Sequence, residues 1–186
     1  MELRERMIGA AAALFQAEGL RFTMQEVADA LRISKKTIYT LYPSKEELLM
    51  DMVDDLFHRI HQEKQSLIAT SGPIEERIRS VMIALPEQYQ AMDFRLLGML
   101  DEKYPSVANR VRQHLATNWE PTIALLEEGV GKGCIRQVSI PVLRQMVTAS
   151  IEGFLVNGEN GASYADTLAA MMDIIMNGIR RRNDEV

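Results

Sequence analysis

Thr23-Met-Gln-Glu-Val-Ala-Asp-Ala-Leu-Arg-Ile-Ser-Lys-Lys-Thr-Ile-Tyr-Thr-Leu-Tyr-Pro-Ser-Lys-Glu-Glu-Leu48 contains three helix-start signals in close succession. Thr23 and Glu26 have the spacing of a capping box, in which each side chain accepts a backbone N–H the first turn leaves open. Val27 and Leu31 then share one face at i, i+4 spacing. Leu31-Arg32-Ile33 turns the chain, and Ser34 caps a second helix over Lys35 to Thr40 that carries Ile38 inward. Pro43 stops that helix, because the residue before a proline avoids helical geometry. Ser44 with Glu47 repeats the capping-box spacing and opens a long third element. Two short helices joined by a tight turn form a helix-turn-helix.

Charge singles out the same stretch. The chain of 186 residues has 21 Lys and Arg against 26 Asp and Glu, a formal net charge of −5. Residues 32–45 hold Arg32, Lys35, Lys36 and Lys45 and no acid. An acidic total argues against indiscriminate coating of nucleic acid. A compact basic island suits docking one short element against phosphates. Double-stranded DNA is the expected partner. In such a unit the N-terminal end of the second helix points into the major groove. Ser34, Lys35, Lys36, Thr37 and Thr40 therefore belong to the reading helix, with Lys35, Lys36 and Thr37 best placed for base edges. Thr23, Tyr39, Tyr42 and Lys45 are expected on phosphates, which set register without reading sequence.

The rest of the chain reads as all-α. No Val/Ile/Thr alternation of strand length occurs. Residues 44–70 place Leu48, Leu49, Met52, Val53, Leu56, Phe57 and Ile60 along one helical side. Ser71-Gly-Pro73 breaks that helix, and Pro73 starts another with Glu75 and Glu76 in its first turn. Asp93 caps an element closing near Tyr104-Pro105, and a helix from Pro105 is interrupted or bent at Pro121 and ends at Gly129 to Gly133. Ser139 and Pro141 start the penultimate helix, residues 157–161 form a loop, and Ser163 with Asp166 caps the last helix. The single cysteine, Cys134, excludes an internal disulfide and suits a reducing cytoplasm. No apolar run approaches the roughly 18 residues of a membrane span.

These residues resemble the TetR family of bacterial transcriptional regulators. The matching positions are Ala10 to Gly19, Thr23, Val27-Ala28, Ile33-Ser34, Thr37-Ile38-Tyr39, Leu41-Tyr42 and Ser44 to Leu48. The chain departs from the family pattern at Arg32, where glycine is frequent, and at Leu41-Tyr42, where His-Phe or Tyr-Phe is common. The resemblance implies an N-terminal helix-turn-helix DNA-binding domain over residues 1–46 and a helical effector-binding and dimerisation domain over 47–186, about nine helices in all. It implies a cytoplasmic repressor released from a palindromic operator by a small-molecule effector.

The resemblance also implies a homodimer through the last two helices, residues 139–182. The apolar residues there, Leu143, Val147, Ile151, Phe154, Leu168, Met172 and Ile175, are the expected interface, although the same stripe also suits an intrachain core. Ala149, Gly153 and Gly178 permit close approach. A ligand pocket among the central helices is implied too. Tyr89, Met92, Met99 and Trp119 are its expected apolar lining, with Arg95, His114, Asn118 and Glu152 as polar anchors.

Other chemistry is weakly supported. His58 and His61, at i, i+3 beside Asp54 and Asp55, raise a metal site, but a solvated polar face explains them as simply. No Gly-rich phosphate loop, Ser/His/Asp grouping or paired carboxylates point to catalysis, so neither an enzyme nor a cofactor is expected. Two rival readings are a helical ligand-binding or scaffold protein with a vestigial helix-turn-helix, which predicts no steeply salt-dependent retention of DNA, and a helical metalloenzyme using His58 and His61, which metal analysis of the purified protein separates.

Overall fold

The computed structural model describes residues 2–89, 92–157 and 163–180. Those residues are helical, with nine α-helices of seven residues or more and one single-turn helix. They form two compact units, one of residues 1–58 and 93–114, the other of residues 59–92 and 115–186. The units therefore do not part at residue 46. The reason is local: α4 runs unbroken from Lys45 to Ile68, through both units, and residues 93–114 pack into the first.

The first unit is built on α1 (Leu3–Glu18), α2 (Met24–Leu31), α3 (Lys35–Leu41) and the start of α4. Met7, Ala11 and Phe15 of α1, Val27 and Ala28 of α2, Ile38 of α3, and Leu48, Leu49 and Val53 of α4 are buried together. Full burial of one such side chain contributes roughly 1.5–3 kcal/mol, which is how short helices with marginal intrinsic stability hold. The expected caps form. Thr23 and Glu26 close the full box, with the Thr23 N–H donating to Glu26 Oε2 at 2.6 Å and the Glu26 N–H to Thr23 Oγ1 at 3.2 Å. Ser34 Oγ accepts the Thr37 N–H at 3.1 Å, and Ser44 Oγ the Glu47 N–H at 3.1 Å.

Arg32 ends α2 in the left-handed region, at φ 55° and ψ 42°, with its N–H turned back to Ala28 and Asp29. A side chain there costs about 1–2 kcal/mol that glycine would avoid. In the same unit, Asp93 caps a 3₁₀ segment, Phe94–Met99, which continues into the single turn α6, Leu100–Lys103. Helix α7 follows over Pro105–Ala116.

The second unit contains α5 (Ile74–Met82), α8 (Glu120–Gly131), α9 (Ile140–Asn157) and α10 (Tyr164–Ile179). The interruption expected at Pro121 lies just ahead of it. Asn118 adopts a left-handed conformation, φ 59°, and Pro121 stands in the first turn of α8, where its missing N–H is harmless. Gly129 permits tight packing, since a Cβ there would sit 2.8 Å from Ile135 Cγ1 and 3.0 Å from Ile78 Cδ1. Ser163 caps α10 by accepting the Asp166 N–H at 3.0 Å. Residues 158–161 of the expected loop and 181–182 of the expected last helix lie outside the described residues.

The core of this unit corrects the interface expectation. Leu143, Val147, Leu168 and Met172 are buried within the chain's own core, together with Ile78, Leu126 and Met176. They are not available to a partner. Ile151, Phe154 and Ile175 are partly buried against that same core. Helix α9 carries a second apolar line that the first one hides in the sequence. Val142, Met146 and Val156 are exposed, as are Ala149 and, on α10, Ile174, which is 75% accessible. The spacing 142, 146, 149, 153, 156 is the 4, 3, 4, 3 pattern of a helix seam. At Gly153 and Gly178 a Cβ would meet open space.

Candidate nucleic-acid interface

Helix α3 presents two faces. Ile38 is fully buried and fixes the helix to its unit, while Ser34, Lys35, Lys36, Tyr39 and Thr40 are exposed. The Lys35 ammonium lies 5.8 Å from the centre of the Tyr39 ring, so the two side chains form one amphipathic surface. Thr37 is half-buried, its hydroxyl 2.8 Å from Ser34 Oγ, and the Thr40 hydroxyl donates to the Lys36 carbonyl at 2.9 Å. Exposed Arg32 stands at the turn before the helix. Arg32, Lys35 and Lys36 thus make a solvent-facing cationic surface on the helix that the turn projects.

Three expected phosphate ligands are engaged inside the unit instead. Thr23 donates its hydroxyl to Glu26 Oε2 at 2.8 Å. Hydrogen bonds from the Thr23 side chain and backbone hold the Glu26 carboxyl below its ordinary pKa, so an anion already sits at that helix start. Tyr42 is only 6% exposed, and its hydroxyl donates to Asp51. Burial, and then the Asp51 hydrogen bond, raise its phenol well above the usual range. The Lys45 ammonium donates to the carbonyls of Leu20, at 2.8 Å, and Phe22, and stands 3.8 Å from the Phe22 ring centre. These carbonyls end a short 3₁₀ turn and need donors, which a cation at a helix C-terminus supplies. Burial, and then Lys103, lower the Lys45 amine from its ordinary value.

These engagements reveal a support that the sequence conceals. Arg4 on α1 grips Asp51 on α4 with two N–H groups, its Nε at 2.8 Å from Oδ2, and Asp51 in turn holds Tyr42 at the end of α3. Asp51 thereby ties the exposed helix to both of its neighbours. The partners are 47 and 9 residues away in the chain, and no local pattern announces them.

The residues expected around a ligand are divided between the units. Arg95, Met99 and His114 belong to the first, Tyr89, Met92, Asn118, Trp119 and Glu152 to the second. Arg95 pairs with Asp93 at 2.7 Å. His114 Nε2 lies 2.7 Å from Asp54 Oδ1, and its ring stacks on Phe57 at 4.6 Å. Arg110 completes that cluster with two bonds to Asp54, at 2.6 and 3.0 Å. Burial acts to raise the Asp54 pKa, but the bonds from Arg110 and His114 outweigh it and leave the carboxyl below its ordinary value. Asp54 is thus engaged by both Arg110 and His114. Met99 and Asn118 are exposed, Trp119 is buried, and Glu152 is half-buried. Among the described residues no group of three or more potential metal ligands occurs, and no helix is long and apolar enough to cross a membrane.

A capped pair of short helices with a bare cationic outer face defines a helix-turn-helix DNA-binding protein. Residues 7–52 match the family described as bacterial regulatory proteins, tetR family. The chain is 23% identical over 180 residues, 94% of each chain, to an uncharacterized HTH-type transcriptional regulator, YvaF, of Bacillus subtilis (strain 168). It is similar in fold to a TetR/AcrR-family transcriptional regulator of Thermobifida fusca, with a TM-score of 0.72, 21% identity, and 96% and 98% of the two chains covered. The transcriptional regulator FadR of Bacillus subtilis, solved in complex with stearoyl-CoA, shares the fold at a TM-score of 0.72 and 15% identity, over 94% and 98% of the chains. Residues 7–52 thus belong to the tetR family of bacterial regulatory proteins, and the chain as a whole shares the fold of TetR-family regulators.

Lys36, exposed and free of acidic neighbours between residues 32 and 45, offers a direct check. Lys36→Ala is expected to weaken DNA binding while leaving thermal unfolding unchanged. A lost base contact appears as about 1–3 kcal/mol that depends on the base pair opposite; a lost phosphate contact appears as a uniform loss with a salt slope lower by about one. Unchanged affinity for every duplex tested removes Lys36 from the interface.

Proposed function

We propose that the chain is a cytoplasmic repressor that binds a palindromic operator as a homodimer and leaves it when a small effector binds the helical unit of residues 59–92 and 115–186. The exposed cationic face of α3 carries the DNA-binding part. Lys35, Lys36 and Thr37 read base edges, with Ser34, Tyr39, Thr40 and Arg32 beside them. Two copies place two such helices on half-sites one helical turn apart, about 34–36 Å, which a two-fold protein requires.

The seam of Val142, Met146, Ala149, Gly153 and Val156, with Ile174 of α10, supports dimerisation through the last two helices. It is an exposed apolar surface with small residues at its centre, and Ile151, Phe154 and Ile175 are the expected residues nearest to contributing. Effector release follows from linkage: a ligand that favours one spacing of the recognition helices lowers affinity for DNA that needs another. Helix α4 is the element that carries such a shift, because one unbroken helix includes residues of both units. FadR's stearoyl-CoA supports a small-molecule effector as a class and does not name this one.

The test is a ligand screen by thermal shift, followed by titration of each hit with and without bound operator. An effector must lose affinity on the DNA-bound protein by the factor with which it weakens DNA, ordinarily about 1–3 kcal/mol of coupling. A hit of equal affinity in both titrations is no inducer, and a screen yielding only such hits sinks the release mechanism.

A further inference from the structure

Within the second unit, α4 and α9 each bring a buried polar atom without a hydrogen-bond partner into apolar surroundings, and α4 adds a lysine beside one of them. His61 and Lys64 are one helical turn apart and share a face. Lys64 is half-buried, and its ammonium stands over the Trp119 ring, 5.8 Å from the centre. Desolvation alone depresses its pKa, with no carboxylate among the described residues near enough to offset it. His61 Nδ1 is sealed from solvent with no hydrogen-bond partner, and so is Thr148 Oγ1 on α9.

The segment 115–119 links these groups. Trp119 Nε1 donates to the Leu115 carbonyl at 2.9 Å, and Arg144, one turn before Thr148, donates to the Ala116 carbonyl at 2.6 Å. The side of α9 that bears Thr148 therefore faces the segment whose indole covers Lys64. The surroundings are apolar: Ile123, Ile151 and Phe154 pack on the same core as Trp119. Burying an uncompensated cation and two unpaired polar atoms works against folding. Ammonium, imidazole and hydroxyl can all donate a hydrogen bond, and none of them brings a negative charge.

We propose that His61, Lys64 and Thr148 form a subsite for the anionic headgroup, carboxylate or phosphate, of an amphipathic ligand whose apolar body lies on Trp119 and its aliphatic neighbours. The proposal rests on the effector reading above and names the chemical class of that effector. Lys64 supplies the charge, His61 and Thr148 orient the oxygens, and the indole face holds both the ammonium and the tail.

Trp119 is the chain's single tryptophan, so its emission reports on this position alone. Decanoate, decyl phosphate and neutral decanol are titrated below their aggregation thresholds. At least one anion is expected to shift the emission saturably, with a Kd at least tenfold below that of decanol; the tighter of the two identifies the headgroup as carboxylate or phosphate. Lys64→Met should bring the anion within about threefold of decanol, and Lys64→Arg should retain the preference. Should Lys64→Met fail to fold, His61→Phe serves in its place, with an expected loss of at least fivefold for the anion and an unchanged decanol affinity. Equal affinity for anions and decanol, no saturable anion binding, or a preference that survives these substitutions overturns the subsite. DNA retention at saturating anion is read separately. Unchanged retention removes the effector role and leaves the anion preference, measured by fluorescence, standing.

Discussion

Ile38→Ala is expected to destabilise the N-terminal unit by about 2–5 kcal/mol and to abolish DNA binding at temperatures where the wild type still binds. Ile38 is the buried anchor of α3, and its accessibility is zero. Removing a fully buried isoleucine loses the transfer free energy of its methyl groups and leaves a cavity that the neighbours fill only in part. A seven-residue helix has little stability of its own, so the loss falls on the element that carries Lys35 and Lys36. The measurement is denaturant unfolding alongside DNA titration. Lys36→Ala is the control, since it should weaken binding with the unfolding curve unmoved. An Ile38→Ala protein within 0.5 kcal/mol of the wild type, a margin typical of neutral surface changes, would contradict the placement of α3.

Met146→Glu combined with Ile174→Glu is expected to convert the proposed dimer to folded monomer at micromolar concentration and to lower operator affinity by at least about a hundredfold. Each carboxylate is solvated on the free chain, because both positions are exposed there. In the dimer every substitution occurs twice, and an uncompensated buried charge costs roughly 3–5 kcal/mol. The same change at Val147 or Met172 has a different expected outcome. Those side chains belong to the intrachain core, so glutamate there should unfold the unit. Sedimentation together with circular dichroism separates the two cases. A folded dimer of the Met146 and Ile174 variant would sink the assignment of this face.

What was legible in the sequence was local. The caps at Thr23, Ser34, Ser44 and Ser163 form as their spacing requires, because each depends on residues three apart. Helices punctuated by Pro73 and Pro105 follow for the same reason. Most of the contacts that were missed join residues far apart in the chain; the pair of Arg95 with Asp93, two residues away, is the exception. Tyr42 and Lys45 look like phosphate ligands in the sequence; Asp51 and the carbonyls of Leu20 and Phe22 claim them in the fold. Arg95 and His114 look like free anchors, and Asp93 and Asp54 take them. Helix α9 was ambiguous in another way. It is apolar on two sides, so periodicity alone identifies neither as inner or outer, and the line with the larger side chains, Leu143 with Phe154, is the one turned to the core.

The central claim is that two copies of α3 read a two-fold DNA site. Selection of duplexes from a fully randomised pool, at near-physiological salt and with sequencing of the bound fraction, tests it most directly. The wild type should enrich an inverted repeat whose half-sites are centred about 10 base pairs, or a multiple of that, apart, and Lys36→Ala should lose enrichment or relax it at defined positions within each half-site. Retention of DNA without any enriched inverted repeat, or the same motif at the same strength from wild type and Lys36→Ala, would contradict the account.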